Sequence, residues 1–334
     1  MLSHCRSGYK TCGDHHVSVD VVTLGEALLR LSVVSGSRFS EMSELRVSVG
    51  GAESNVAVAL AQMGCSVAWL SAVPDNHFGR YVLKDLARHG VDTQFVVTEP
   101  NARIGLYFVE PGSTPRPDRV IYDRKNSAVT RLQSSDVPWG EVESAKAAHI
   151  TGITPALSES LRMLAIEFTK RARSAGVPVC VDVNYRAHLW GIEEARPVLL
   201  ELCREATLVI LTEEDARGVF GFAGSVQDLS RRARDAFSAK YVAVTRGSKG
   251  ALLFDGQTIV EQSGLDAAVV DRIGSGDAFA AGLVLGVVNG DVVNNLPTAV
   301  AMAVVKLGIQ GDHFLADLTD VVGIMSGNQR EVDR

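Results

Sequence analysis

Apolar positions recur with two periods along this chain, and the way they alternate sets out its architecture. From residue 147 onward, short β-rich apolar runs alternate with longer segments of three-to-four spacing. Ala147–Thr151, Val179–Val183, Leu208–Leu211 and Tyr241–Thr245 read as buried strands. Ser158–Ala175, stopped by Gly176, then Ile192–Cys203, Glu213–Phe220 and Val226–Phe237 read as helices. A hairpin around Gly256 follows the last of these strands. Strand–helix alternation means parallel strands joined by right-handed crossovers.

The N-terminal third is mixed. Asp20–Leu24 is a short strand ending at Gly25-Glu26, Val67–Ala72 is another, and Asn55–Met63 and Gly79–His89 are helices stopped by Gly64 and Gly90. Between them, Ala27–Val49 alternates polar and apolar residues around Ser35-Gly36-Ser37, as small antiparallel strands do. Arg103–Glu110 and Arg119–Arg124 alternate in the same way on either side of a Pro/Gly-rich turn, Pro111–Pro117. These stretches are assigned to one projecting sheet. The expected fold class is α/β: a three-layer α/β/α sandwich with a mostly parallel central sheet plus a small β-sheet lid. Residues 19–26, 50–102 and 126–325 would form the core, 27–49 and 103–125 the lid, and 1–18 a flexible leader.

Composition narrows the classes. A chain of 334 residues that is 46% hydrophobic can bury a large core. Its net charge of −6 is spread without runs, so no basic stripe argues for nucleic acid. Cysteines stand at 5, 12, 65, 180 and 203, an odd number with no C-x-x-C pair, which reads as reduced thiols in a cytoplasmic protein. The longest apolar run, Ala278–Val288, is too short for a bilayer, and Met1–His16 lacks the apolar region of a signal peptide; no membrane partner is expected. His4, Cys5, Cys12, His15 and His16 have metal-binding chemistry, but no periodicity there would hold them in place.

The candidate chemistry sits late in the chain. Val269 and Val270 read as a strand running into Gly274, Ser275 and Gly276, then Asp277, then an apolar helix reaching Val288. Such a turn leaves helix N–H groups without internal partners and open to an anion. A carboxylate beside a phosphate cradle can accept the proton of an attacking hydroxyl, or can simply cap the helix. Three further groups fall at strand ends, where ligands sit in sheets of this kind: Gly50-Gly51, Asp182 to Arg186, and Thr245 to Gly250. No H-E-x-x-H, Walker A or G-x-S-x-G run is present.

Asp271-Arg272-Ile273-Gly274-Ser275-Gly276-Asp277-Ala278-Phe279 resembles the C-terminal signature of the ribokinase-type (PfkB) sugar kinases, and Gly50 to Ala57 resembles their N-terminal Gly-Gly-x-x-x-Asn-x-Ala element. The likeness spans about residues 19 to 320. Gly105-Leu106-Tyr107, Tyr122 to Ala128, Thr151 to Ser158 and Asp182 to Arg186 look most like 2-keto-3-deoxygluconate kinases. The resemblance implies a ribokinase-like fold and ATP-dependent phosphorylation of a keto-deoxy sugar acid with Mg²⁺. It implies Asp277 as catalytic base and Gly274, Ser275 and Gly276 as anion hole. Gly51, Tyr107, Tyr122, Arg124, Arg186 and Asp312 would touch the sugar acid. Asn184, Thr245, Arg246, Gly247, Ser248, Lys249 and Gly250 would line the nucleotide site. Paired arginines suit a carboxylate, whereas a neutral sugar wants mostly Asn, Asp and Gly.

Each residue also has a plainer reading. Arginines form surface ion pairs, strand tyrosines pack, Lys249 can be a solvated loop lysine, and Asp312 in Gly311-Asp312-His313 can cap a helix. Two departures from the family pattern stand out. Arg272 occupies a position usually held by Thr or Pro, where it would contact phosphate or carboxylate, or pair with Asp271. Thr212 and Asp215 replace an Asn-x-x-Glu pair tied to magnesium, so the metal ligands stay unassigned. Kinases for 5-keto-2-deoxygluconate, fructose or ribose, and a non-catalytic sugar or nucleotide sensor, are the rival readings. An apolar face on the projecting sheet implies a homodimer through the lid.

Overall fold

The computed structural model describes residues 19–112 and 116–327. The leader at 1–18, with the residues just considered as metal ligands, and the middle of the 111–117 turn lie outside the described residues. The chain opens with β1 (Val21–Leu24), β2 (Leu28–Ser32), β3 (Arg46–Gly50) and α1 (Ala52–Gln62). It continues through β4 (Val67–Leu70), β5 (Ala72–Pro74), α2 (His77–Arg88), β6 (Val91–Asp92) and β7 (Val97–Glu99). β8 (Gly105–Glu110) and β9 (Arg119–Asp123) form a hairpin, followed by α3 (Trp139–Ser144), β10 (Ala147–Thr151) and α4 (Glu159–Ser174). Then come β11 (Val179–Asp182), α5 (Ile192–Glu205), β12 (Leu208–Thr212), α6 (Glu213–Gly218), α7 (Val226–Phe237) and β13 (Tyr241–Thr245). The hairpin β14 (Ala251–Phe254) and β15 (Ile259–Gln262) precedes three helices: α8 (Ser275–Val288), α9 (Leu296–Leu307) and α10 (Leu318–Met325).

Nine strands form the central sheet in the order β15-β14-β13-β12-β11-β10-β1-β4-β6, all running in one direction except β14. Side chains of successive strand residues point to opposite faces, and the core divides accordingly. Val21 of β1 packs with α1, α8 and α9; Val22 and Leu24 pack with α4, α5 and α7 on the other face.

A second sheet, β3-β2-β8-β9, covers one end of the first. It is not wholly antiparallel, because β2 and β8 run parallel at its centre. The expected strand Val67–Ala72 breaks at Ser71: β4 stays in the central sheet, while β5 pairs with β7.

The expected strand before Gly274 does not form. Val269 and Val270 are 43% and 54% exposed, and the Val270 N–H donates to the Leu307 carbonyl at the end of α9. A β-branched pair is too short to nucleate a strand once helical carbonyls supply its hydrogen bonds. α1 begins at Ala52, three residues before its expected start, which places Asn55 within its first turns. No helix among the described residues is long and apolar enough to cross a membrane.

Candidate active site

The carboxyl ends of β10, β11, β12 and β13 open on a cleft of about 690 Å³, roofed by the four-stranded sheet and walled by the N-terminus of α8. Its shape follows from two close backbone approaches. Gly274 caps α8 at φ 91°, and a Cβ there would lie 2.0 Å from the Asp312 carbonyl oxygen. Only glycine combines that dihedral with that contact. A Cβ at Gly51 would lie 2.1 Å from the Glu26 carbonyl oxygen, so α1 can start directly beneath the lid.

Asp277 stands in the first turn of α8 and is 9% exposed. Its carboxylate accepts a 2.7 Å hydrogen bond from Asn55 Nδ2, while Asn55 Oδ1 accepts from the Gly51 N–H at 3.3 Å. The two glycine-rich elements at opposite ends of the sequence therefore meet through one amide side chain. Burial pushes the Asp277 pKa up to about 6; the Asn55 hydrogen bond pulls it down, Asp312 raises it, and Arg186 and Lys306 lower it. A carboxyl in that range is poised to take a proton near neutral pH.

Beside it, burial pushes Asp182 up to about 8, with Asp277 and Asp215 adding repulsion and Arg186 opposing. Asp215 is raised by burial against the bonds from Thr212. Thr212 caps α6, accepting from the Asp215 N–H at 2.9 Å. From the sequence, Asp182 stood in the strand-end group Asp182 to Arg186 without a role of its own. It is the last residue of a strand, two before Asn184 at φ 36°, and strand-end position was the available signal.

The lid side is held by an interior ion network. Arg30, 1% exposed on β2, pairs with Asp271 at 2.6 Å and Asp312 at 2.7 Å, and its Nε donates to Ser32 Oγ at 2.7 Å. The Tyr107 hydroxyl donates to Asp312 Oδ2 at 2.5 Å. Asp271 also accepts from the Gly311 and Ile273 N–H groups. Asp312 is therefore a junction between lid and core rather than a helix cap, and Asp271 pairs with Arg30 rather than with Arg272, which is exposed at the cleft wall. Arg30 carries no motif, and sequence reasoning missed it.

Most of the expected residues converge. Gly51, Tyr107, Tyr122, Arg124, Asn184, Arg186, Thr245, Gly274, Gly276, Asp277 and Asp312 all line the cleft. Ser275 does not: its N–H and hydroxyl both donate to the Arg272 carbonyl, which turns it away from the expected anion hole. Arg246 to Gly250 do not line it either. Arg246 pairs with Glu261 at 3.4 Å, and Gly250 packs against the Gln262 backbone.

The two arginines differ. Arg124 is 10% exposed and ion-paired with Glu26 through Nη2, with Nε donating to the same carboxylate at 2.7 Å. It lies 5.6 Å from the Tyr122 ring, which stacks on Tyr107. Arg186 is exposed to the cleft and has no ion pair among the described residues.

A family model described as "pfkB family carbohydrate kinase" matches residues 19–312. A 2-dehydro-3-deoxygalactonokinase of Haloferax volcanii is 37% identical over 319 residues, covering 95% of this chain and all of that protein. A 2-dehydro-3-deoxygluconokinase of Thermoproteus tenax is 30% identical over 299 residues, covering 88% of this chain and 90% of the other. The crystal structure of a 2-dehydro-3-deoxygluconokinase from Thermotoga maritima superposes with a TM-score of 0.88 at 31% identity, covering 92% of this chain and 99% of that one.

Proposed function

We propose, from the premise that the chain belongs to the pfkB family of carbohydrate kinases, that it transfers the γ-phosphoryl group of ATP to a primary hydroxyl of a 2-keto-3-deoxy sugar acid. The preferred substrate is 2-keto-3-deoxy-D-gluconate, phosphorylated at O6. The observation that carries the reading is the placement of Asp277, buried at the N-terminus of α8 in a cleft that also holds the unpaired guanidinium of Arg186.

In the reaction, the sugar hydroxyl oxygen attacks the γ-phosphorus and its proton passes to an Asp277 carboxylate oxygen. The bond from phosphorus to the β–γ bridging oxygen breaks, and ADP leaves. The Gly274 and Gly276 amides and the α8 N-terminus face the charge that develops on the transferring group. The N-terminal glycine element contributes through Asn55, which holds the Asp277 carboxylate in place.

Asp182 and Asp215 line the same wall with oxygen donors only, and their mutual repulsion is relieved by a cation, so the residues present fit Mg²⁺. They would hold the ion directly or through water, and when bound it neutralises charge on the nucleotide phosphates. Thr245 and Asn184 are assigned to the nucleotide end of the cleft, and the lid to excluding water from the competing hydrolysis of ATP.

Arg186 is assigned to the substrate carboxylate, and Arg124, oriented by Glu26, to a supporting contact. Arg186→Ala is then expected to raise the sugar-acid KM on the order of 10–100-fold with the ATP KM within about threefold. Equal changes in both constants would remove Arg186 from the carboxylate site. A panel of sugars with coupled ADP detection tests the substrate. Preference for 2-keto-3-deoxygluconate supports the reading; preference for fructose or ribose rejects an acid sugar. The C4 epimer, 2-keto-3-deoxygalactonate, is the second reading, favoured by the Haloferax volcanii relative.

Strand register aligns Val47, Leu31, Phe108 and Ile121 as one apolar row across the four lid strands, with Val47 and Ile121 46% and 50% exposed. We assign this row to a homodimer contact. Ile121→Glu should convert the dimer to monomer in analytical ultracentrifugation, whereas an unchanged sedimentation coefficient would move the interface elsewhere.

A further inference from the structure

Outside the cleft, three metal-ligating side chains meet where the end of α2 packs against the segment following α9. Asp85 and His89 are four residues apart in sequence, so they share one face at the end of α2. His313 joins them from across the fold. One potential ligand atom from each lies within 4.8 Å of the other two. Asp85 and His313 are 5% and 7% exposed, and His89 is half-buried at the rim.

Two atoms in this group are buried without a hydrogen-bond partner: Asp85 Oδ2 and His313 Nε2. Leaving such groups unsatisfied is costly and calls for an explanation. His313 Nδ1 faces Asp85 Oδ2 at 3.6 Å, too far for a hydrogen bond. It is close to the separation of about 3.3 Å expected for neighbouring ligands on a tetrahedral ion with bonds of about 2.0–2.1 Å, so the ion would satisfy Asp85 Oδ2 and take His313 Nδ1, with the ring proton on Nε2. The rings of His89 and His313 stand edge to face, with centroids 5.5 Å apart. Arg88, on the surface, pairs with Asp85 Oδ1 at 2.6 Å and donates to His89 Nε2 at 3.2 Å. It thereby orients the carboxylate and leaves Oδ2 as its free atom; on His89 it occupies the Nε2 lone pair, which the ion would take in place of the Arg88 N–H.

We propose that Asp85, His89 and His313 form a binding site for a divalent transition-metal ion, zinc first, with the fourth position open to water. Two imidazoles and one carboxylate are a borderline donor set that favours zinc over magnesium or calcium. The half-buried His89 marks the entry path. The ion would tie α2 to the residue after Asp312, whose carboxylate receives Arg30 and Tyr107 and whose carbonyl abuts Gly274. The site is thus a structural clamp behind the sugar end of the cleft, and its existence is independent of which sugar is phosphorylated.

Chelator-stripped full-length protein titrated with zinc chloride, followed by calorimetry and by thermal melting, tests this. The expected result is one zinc per chain at this site with a raised Tm. His89→Gln and Asp85→Asn should each weaken that binding more than tenfold and remove the Tm gain. His89→Gln carries the test if the Asp85 variant folds poorly, since His89 is half-exposed. No zinc uptake by the stripped protein would overturn the proposal. So would uptake that is undiminished in both variants, because it would belong to His4, Cys5, Cys12, His15 and His16 in the leader.

Discussion

Asp277→Asn lowers kcat on the order of 10²–10⁴-fold, leaves the sugar KM within a few-fold, and makes the protein harder to unfold at neutral pH. The kinetic part follows from removing the only role proposed for Asp277 in the transition state, acceptance of the hydroxyl proton. The asparagine carbonyl still accepts from Asn55 Nδ2, so the ground-state geometry persists. The stability part follows from linkage. With a folded-state pKa of about 6 against an ordinary 3.8, the folded protein holds this proton more tightly than the unfolded chain. Ionising the group therefore opposes folding. The cost is absent below about pH 4, grows as pH rises to 6, and is constant above. It amounts to about 3 kcal/mol, taking about 1.4 kcal/mol per pKa unit. Asn escapes it, so the gain in Tm should be present at pH 8 and gone near pH 4. The same pKa sets the wild-type pH profile, with kcat/KM falling about tenfold per unit below pH 6. Undiminished turnover in the variant would reject Asp277 as base. A kinetic loss accompanied by a lower Tm would mean that the carboxylate is structural.

How much of this was legible in the sequence depends on the distance over which each feature is specified. β10, β13 and α7 occur with the bounds their periodicity gives, and α4 lies within one residue of its expected ends, because caps and apolar spacing act over a few residues. Ser225 and Asp228 form a capping box on α7, for example, and Ser158 caps α4. α9 and α10 went unread. α9 is too uniformly apolar to display a face, since α8 and the central sheet enclose it. The site divides in the same way. Gly274, Gly276 and Asp277 come from one turn and are readable together. Arg30 and Asp312 are 282 positions apart, and no local spacing reports a pair that exists only after the lid has folded onto the core. Arg124 is the converse: its charge was visible, but its partner Glu26, 98 positions away, was not, so it read as freer than it is.

The largest structural effect is expected at that long-range junction. Arg30 is fully enclosed and compensates two buried carboxylates at once; burial alone would lower its pKa, but the adjacent Asp312 and Asp271 carboxylates outweigh that and raise it. Arg30→Ala strands both acids in a site that water does not reach. Removing one member of a buried ion pair costs about 3–5 kcal/mol, because the remaining charge keeps its desolvation penalty and loses its partner. For a chain of this size that corresponds to a Tm lower by roughly 4–7 °C. The triple variant Arg30→Met, Asp271→Asn, Asp312→Asn separates charge from packing. With no stranded ion it should regain much of the lost stability, while losing sugar affinity because the charged Asp312 carboxylate, assigned to the sugar end of the cleft, is gone. Urea unfolding of the three proteins decides the matter. A deficit below about 1 kcal/mol in Arg30→Ala would mean that water enters the lid junction and that the network does not hold the lid in place.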